Sequence, residues 1–258
     1  MNEDILYEKS GHIAKITFNR PKVFNSFNRD AALQFQQYLD QAEDDSDIRV
    51  IYITGNGRAF SAGQDLNEIS EGKIALETIV KDHYNPIVMR IHNAKKIVVA
   101  AVNGVAAGAG ANIALVCDLT LATESASFIQ AFSKIGLIPD SGGTYILPRL
   151  IGFQKALGLA LTGDKVSATE AEKMGMIYKV FSDETFAEES WKMAQKIASL
   201  PPLGLRYTKE LYNKGICNNL KDQLDQEQDY QVKVGNTEDY QECVAAFLEK
   251  RKPVIKGK

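Results

Sequence analysis

The stretch Ile97–Asp118 constrains the fold more than any other part of the chain. It opens with the apolar run Ile97-Val98-Val99-Ala100-Ala101-Val102 and turns through Asn103-Gly104 and Gly108-Ala109-Gly110. It then continues into Ala111, Ile113, Ala114, Leu115 and Val116. The pattern predicts a buried strand, a glycine-rich turn and a small-residue helix in direct succession. Such a helix presents free backbone N–H groups and the positive end of its dipole to the loop before it. That place suits an anion, or an oxygen that becomes one during a reaction. A dinucleotide turn is excluded, because the third glycine position of G-x-G-x-x-G holds Ile113, and no Gly-Lys-Ser/Thr ending follows. The same residues also fit a plainer reading, a glycine turn where a helix packs closely on a strand.

A chain of 258 residues accommodates one large α/β domain, alone or with a small appendage. The net charge of −3 gives no electrostatic case for nucleic acid or an anionic membrane. The cysteines, Cys117, Cys217 and Cys243, are widely spaced and odd in number, which fits a reducing, cytoplasmic setting. His12, His83 and His92 have no metal-ligand spacing, so no metal site is expected. The N-terminus MNEDILYEKSGH lacks the apolar core of a signal peptide, and no apolar run is long enough to span a membrane.

In chain order, Ile5–Tyr7 and Ile13–Phe18 read as a hairpin around Ser10-Gly11. Asn28 and Asp30 start an amphipathic helix carrying Ala31, Phe35, Leu39 and Ala42. Arg49–Thr54 is a buried-type strand, and Gly55–Leu66 a loop. A helix is expected over Glu77–Asn93, broken or kinked near Asn85 by Pro86. Leu119–Ala122 and Ser127–Ile129 are short strands. A second glycine loop, Gly136–Thr144, leads into a helix whose first turn holds Pro148. Phe153–Leu161 continues as helix, Ser167 and Glu170 form a capping box, and Met176–Phe181 returns as strand. Four helical patterns follow: Phe186–Leu200, Leu203–Lys214, Leu220–Val234 and Asp239–Lys250. The chain thus divides into 1–182, with repeating strand–strand–helix units, and an all-helical 183–258.

Three ordered motifs now stand together: FSAGQDL at Phe60–Leu66, AVNGVAAGAGANIALVCD at Ala101–Asp118, and GLIPDSGGT at Gly136–Thr144. With compatible spacing along essentially the whole chain, they resemble the crotonase superfamily, the enoyl-CoA hydratases and isomerases. The resemblance implies an α/β fold, a crotonase-like superhelix of ββα units with a C-terminal helical region. It implies an acyl-CoA thioester as substrate, coenzyme A entering as part of that substrate, and no permanently bound cofactor. It also implies assembly as a homotrimer or a dimer of trimers through residues 183–258.

Family chemistry passes through an enolate whose oxygen is held by two backbone N–H groups. By position these are expected from Ala62 and from Ala109, where glycine is more usual in the family. Ala62, Gly63, Gln64, Asp65 and Leu66 are expected to wrap coenzyme A, with Gly108 and Ala109 beside the thioester. Asp65 is expected to hold the Ala62 loop in register. Hydratases of the family carry two glutamates; here those positions are Asn112 and Phe132, and neither titrates. Asn112 either orients water or substrate or satisfies a local polar contact, and Phe132 makes its side of the pocket apolar. Asp140 remains as the single carboxylate, either the cap of the next helix or the acid/base of an isomerase. The detail around Phe132–Asp140 resembles the family's ring-epoxide isomerases. Tyr145 is a candidate for the acyl pocket. Lys250 and the basic tail either meet coenzyme A phosphates, of this or of a neighbouring subunit, or lie solvated. The expectation is therefore an isomerase that shifts a double bond or opens a ring epoxide. A hydratase, or a non-catalytic CoA-binding or scaffold protein on the same fold, is the alternative.

Overall fold

The structure is a computed structural model that describes residues 3–70 and 74–257. Lys258 of the basic tail and Met1-Asn2 of the N-terminal stretch lie outside the described residues. The chain opens with the antiparallel hairpin of β1 (Ile5–Ser10) and β2 (Ile13–Phe18). Helix α1 (Arg29–Asp44) follows, with Asn28 Oδ1 accepting the Ala31 N–H at 2.8 Å as its cap. Three ββα units then stack. The first has β3 (Val50–Gly55), β4 (Ala59–Ser61), α2 (Leu66–Ser70), α3 (Leu76–Thr78) and α4 (Asn85–Asn93). The second has β5 (Ile97–Val102), β6 (Val105–Ala107) and α5 (Ala109–Val116). The third has β7 (Leu119–Thr123), β8 (Ser127–Ile129), α6 (Gly143–Ile151) and α7 (Phe153–Thr162). After them come β9 (Lys165–Ser167), α8 (Ala168–Lys173) and β10 (Lys179–Phe181), then α9 (Phe186–Ala198), α10 (Pro202–Gly215), α11 (Leu220–Gly235) and α12 (Glu238–Leu248).

The first strand of each unit enters a six-stranded sheet of order β1-β2-β3-β5-β7-β10, parallel from β2 onward. The second strand of each enters a four-stranded sheet, β4-β6-β8-β9. This alternation winds the chain into the superhelix. Side chains of the large sheet alternate between two cores, as the two-residue period requires. Ile51, Ile53, Val98 and Ala100 face α1, α4 and α5, whereas Val50, Tyr52, Val99 and Ala101 face α9. Tyr52 ties that second layer down through a 2.8 Å hydrogen bond with Ser190 and an edge contact with Trp191. The helical region is therefore continuous with the spiral through α9.

Two sequence expectations are corrected here. The helix over Glu77–Asn93 does not break at Pro86. Instead α3 passes through a π-helical turn, Ile79–Tyr84, into α4, and the Asn85 N–H bonds back to the Val80 carbonyl. The widened turn makes room for a proline ring that would otherwise strike the preceding turn. Its extra residue also buries both His83 and Tyr84. Pro148 lies in the second turn of α6, because that helix starts at Gly143, earlier than the apolar pattern suggested.

Helix α10 is fastened by Lys209, whose side chain is 6% exposed. Its Nζ donates to Asp118 Oδ2 at 2.9 Å and to the Ile91 carbonyl at 3.1 Å, while Asp118 Oδ2 also accepts the Val98 N–H at 2.7 Å. Removing one partner of a buried pair leaves the other charge uncompensated. Lys209→Met is therefore expected to cost about 3 kcal/mol and to lower the midpoint of thermal unfolding by roughly 10 °C, as calorimetry would record.

Candidate active site

The three glycine-bearing loops meet at the N-terminus of α5. Gly108 takes a left-handed φ of 53° there, the conformation that lets the chain leave β6 and enter the helix at once. No side chain caps α5, and its first turn has no acid. The Gly108 N–H is used by the Ile129 carbonyl at 2.9 Å, but the Ala109 N–H has no acceptor among the described residues. The positive end of the α5 dipole thus opens toward the loop that precedes α2.

In that loop the structure corrects the expected oxyanion donor. The Ala62 N–H is already bonded to the Phe24 carbonyl at 2.9 Å and is unavailable to a ligand. Phe24 and Asn25 hold consecutive left-handed conformations. The Asn25 carboxamide fixes them, donating to the Ala59 carbonyl at 2.7 Å and accepting the Arg20 N–H at 2.8 Å. The Gln64 N–H, by contrast, has no acceptor among the described residues. Its neighbours pair with Phe27, Phe27 N–H to Gly63 O at 2.7 Å and Asp65 N–H to Phe27 O at 2.8 Å. In such a parallel bridge the bridging residue's own N–H points away from its partner strand, so the Gln64 N–H faces the other side. The backbone at Gly63 comes so near α5 that a methyl group there would lie 3.2 Å from the Ala109 nitrogen. The free N–H groups of Gln64 and Ala109 therefore border the same space.

Asp65 serves the loop without holding Ala62 directly. One carboxylate oxygen pairs with Arg20 Nη2 at 3.1 Å and the other accepts from Asn67 at the start of α2. Leu66 is 51% exposed at the rim.

Asp140 is not a helix cap. The N-cap of α6 is Gly142, and no side chain accepts from that helix's first turn. The Asp140 carboxylate instead accepts from the Ser141 hydroxyl at 2.9 Å. Ser141 is itself buried in a left-handed conformation with φ of 51°. That strain costs on the order of 1 kcal/mol and marks a place where position outweighs stability. Burial pushes the Asp140 pKa up, and the Ser141 hydrogen bond only partly opposes it.

Asn112 supports this carboxylate from below. Its Nδ2 donates to the Asp140 carbonyl at 2.8 Å and its Oδ1 accepts from Gln130 at 2.8 Å. Gly143 closes over it: a methyl group there would sit 2.8 Å from Asn112 Cγ. Of the two readings of Asn112, the local polar contact is the one the structure displays. Phe132 is buried, with its ring tip 3.8 Å from where a methyl group on Gly108 would project, so it sets apolar surface beside the start of α5.

Within this single chain, Tyr145 lines a different cleft and Lys250 lies on the surface. The Tyr145 ring stacks under the Arg149 guanidinium at 3.5 Å and lines a cleft of about 540 Å³ with Leu115, Ile146 and Lys209, between α6 and α10. Lys250 is exposed beyond α12, and the tail after it is drawn to Arg49, which donates to the Ile255 carbonyl at 3.0 Å. Arg49 precedes β3, so the tail docks at the end of the large sheet opposite the glycine loops.

Two free N–H donors, a helix dipole and one carboxylate of raised proton affinity form a place where an oxyanion can be held and a proton moved. The family model described as enoyl-CoA hydratase/isomerase matches residues 8–258, and the chain belongs to that crotonase family of acyl-CoA enzymes. It is 45% identical to the 1,2-epoxyphenylacetyl-CoA isomerase of Escherichia coli, with all of both chains covered. It is 34% identical to the 2,3-dehydroadipyl-CoA hydratase of the same organism, covering 99% of each. The crystal structure of an enoyl-CoA hydratase from Bacillus anthracis superposes with a TM-score of 0.92 at 34% identity, over 99% of this chain and 100% of that one. No described helix is long and apolar enough to cross a membrane.

Proposed function

We propose that this chain isomerises an acyl-CoA thioester by a proton shift through an enolate, with Asp140 as the single acid/base. The observation that carries the reading is Asp140 itself, a partly buried carboxylate of raised pKa, with Asn112 and Phe132 where hydratases carry glutamates. The thioester oxygen accepts from the N–H groups of Gln64 and Ala109. Asp140 removes a proton from the carbon next to the thioester, and the electron pair moves onto the oxygen. The same carboxyl group then returns the proton two carbons along, and the double bond comes into conjugation. Holding an oxyanion in this way is worth about 10²–10³ in rate per donor. A hydratase would need a second group to activate water. Asn112 has both ends of its amide engaged, and Phe132 offers no polar atom.

Coenzyme A enters only as part of the substrate in this reading, and no resident cofactor is needed. The loop Ala62–Leu66 and Gly108 line its path, and residues 1–182 carry the site. Exposed Tyr212, Leu220, Phe247 and Leu248 on the C-terminal helices fit a homotrimer or a dimer of trimers formed by residues 183–258. A substrate panel tests the activity: 1,2-epoxyphenylacetyl-CoA, a 3-enoyl-CoA and a 2-enoyl-CoA, followed by ultraviolet absorbance and product mass. The epoxide or the 3-enoyl ester is expected to convert without gain of water. The working base is the carboxylate, so the rate should fall on acidification through a pKa above that of an ordinary aspartate. Faster addition of water to the 2-enoyl ester than any isomerisation would refute the reading.

A further inference from the structure

We infer that Tyr84 is a positioning residue that holds the Gln64 peptide in the orientation needed for its N–H to meet an oxyanion. The inference rests on the oxyanion reading above and adds a residue to it. Tyr84 is the last residue of the π-helical turn, 1% exposed, and its hydroxyl donates to Gln64 Oε1 at 2.9 Å. Burial and the nearby carboxylates of Asp140, Glu68 and Asp65 all raise the proton affinity of this phenol. It therefore stays a donor at every working pH. The other end of the same amide is also held. Gln64 Nε2 donates to Glu68 Oε2 at 3.0 Å, and Glu68 Oε1 accepts the Arg29 N–H at the start of α1 at 3.0 Å.

The Tyr84 ring also reaches the backbone side of the loop. It packs edge-on against Phe27 with 6.1 Å between centroids, and Phe27 is the residue whose N–H and carbonyl bracket Gln64. One side chain thus touches both the amide of Gln64 and the strand that sets its backbone. The π turn makes this possible: its additional residue brings both His83 and Tyr84 inward where a regular helix would expose one of them. A glutamine with both ends of its side chain fixed cannot rotate its peptide to seek solvent, so the donor is oriented before substrate arrives.

Tyr84→Phe keeps the ring and its contact with Phe27 and removes only the hydroxyl. Gln64→Ala keeps the backbone N–H and removes both side-chain tethers, to Tyr84 and to Glu68. The probe is acetoacetyl-CoA, whose enolate absorbs in the near ultraviolet, titrated on the intact protein. The wild type is expected to enolise the bound ester at lower pH than water does. Each variant should weaken that stabilisation about tenfold, which moves the midpoint up by about one pH unit. The double variant should do no worse than Gln64→Ala alone, because that change already removes the bond to Tyr84. In isomerase assays kcat should fall by a similar factor while KM and the melting temperature stay near wild type. A midpoint unmoved in Tyr84→Phe, or effects that add in the double variant, overturns the positioning role while the oxyanion reading stands. Failure of the wild type itself to stabilise the enolate removes the oxyanion reading, and the positioning role with it.

Discussion

Asp140→Asn is expected to lower isomerase turnover by about 10³-fold or more while leaving acyl-CoA binding intact and making the protein slightly more stable. The loss follows from the chemistry, since a positioned general base contributes about 10²–10⁴ and no second carboxylate stands at the hydratase positions. The gain in stability follows from linkage. Burial raises the folded-state pKa of Asp140 above its unfolded value. The folded protein therefore binds this proton more tightly than the unfolded chain, and stability is lost as pH rises from the unfolded pKa through the folded one, fully so above it. At neutral pH the uncharged amide removes that cost and can still accept from the Ser141 hydroxyl. The two effects should separate with pH: the melting difference between variant and wild type is expected near neutrality and should shrink as acid protonates Asp140. Isothermal titration with a saturated acyl-CoA and melting curves at several pH values check both parts. A variant that keeps near-normal turnover would return Asp140 to a structural role.

Much of the architecture was legible from local pattern. The apolar runs at Val50–Ile53 and Ile97–Val102 are strands because they are buried on both faces, and the caps at Asn28 and Ser167 form as their spacing demands. The site was legible only as far as it is made of sequence-local geometry. Gly108 and Ala109 stand at the start of α5, where strand, glycine and helix follow one another. The engagement of the Ala62 N–H, which leaves Gln64 as the proposed donor, is set by pairing with Phe24 and Phe27, and no local motif in the loop encodes that pairing. Tyr84 went unremarked because an aromatic in an amphipathic helix resembles any core residue, and the π turn that aims it leaves no periodic signature. The proline at 86 is the one available signal; it points to a kink or break near Asn85, and the chain answers it with a widened turn. Asp140 shows the converse. Its cap alternative was sound on sequence alone, and only the start of α6 after Gly142 removes it.

The second large effect is expected at Gly110, in the first turn of α5. A methyl group on Gly110 would stand 2.7 Å from Ser61 Cβ and 2.8 Å from its Oγ, and closer still to the Ser61 carbonyl oxygen. None of these atoms can yield. Ser61 is fully buried, and its hydroxyl donates to the Asn25 carbonyl at 2.9 Å while accepting the Gly63 N–H at 3.1 Å. The end of α5 must therefore back away from β4 by on the order of 1 Å, and under the proposed oxyanion role of Ala109 such a displacement costs about 10² in rate. Alanine would gain up to about 1 kcal/mol of helix propensity over glycine, but overpacking against backbone costs about 1–3 kcal/mol, so the clash prevails. Gly110→Ala should lower both the melting temperature and kcat/KM, because the residue it displaces from Ser61 adjoins the Ala109 donor. Gly158→Ala, in α7 with nothing within 4 Å of the added methyl group, supplies the contrast. There propensity acts alone, and a small gain in stability with unchanged kcat/KM is expected. If both variants kept wild-type activity, the close approach of α5 to β4 would not be what sets the oxyanion donors.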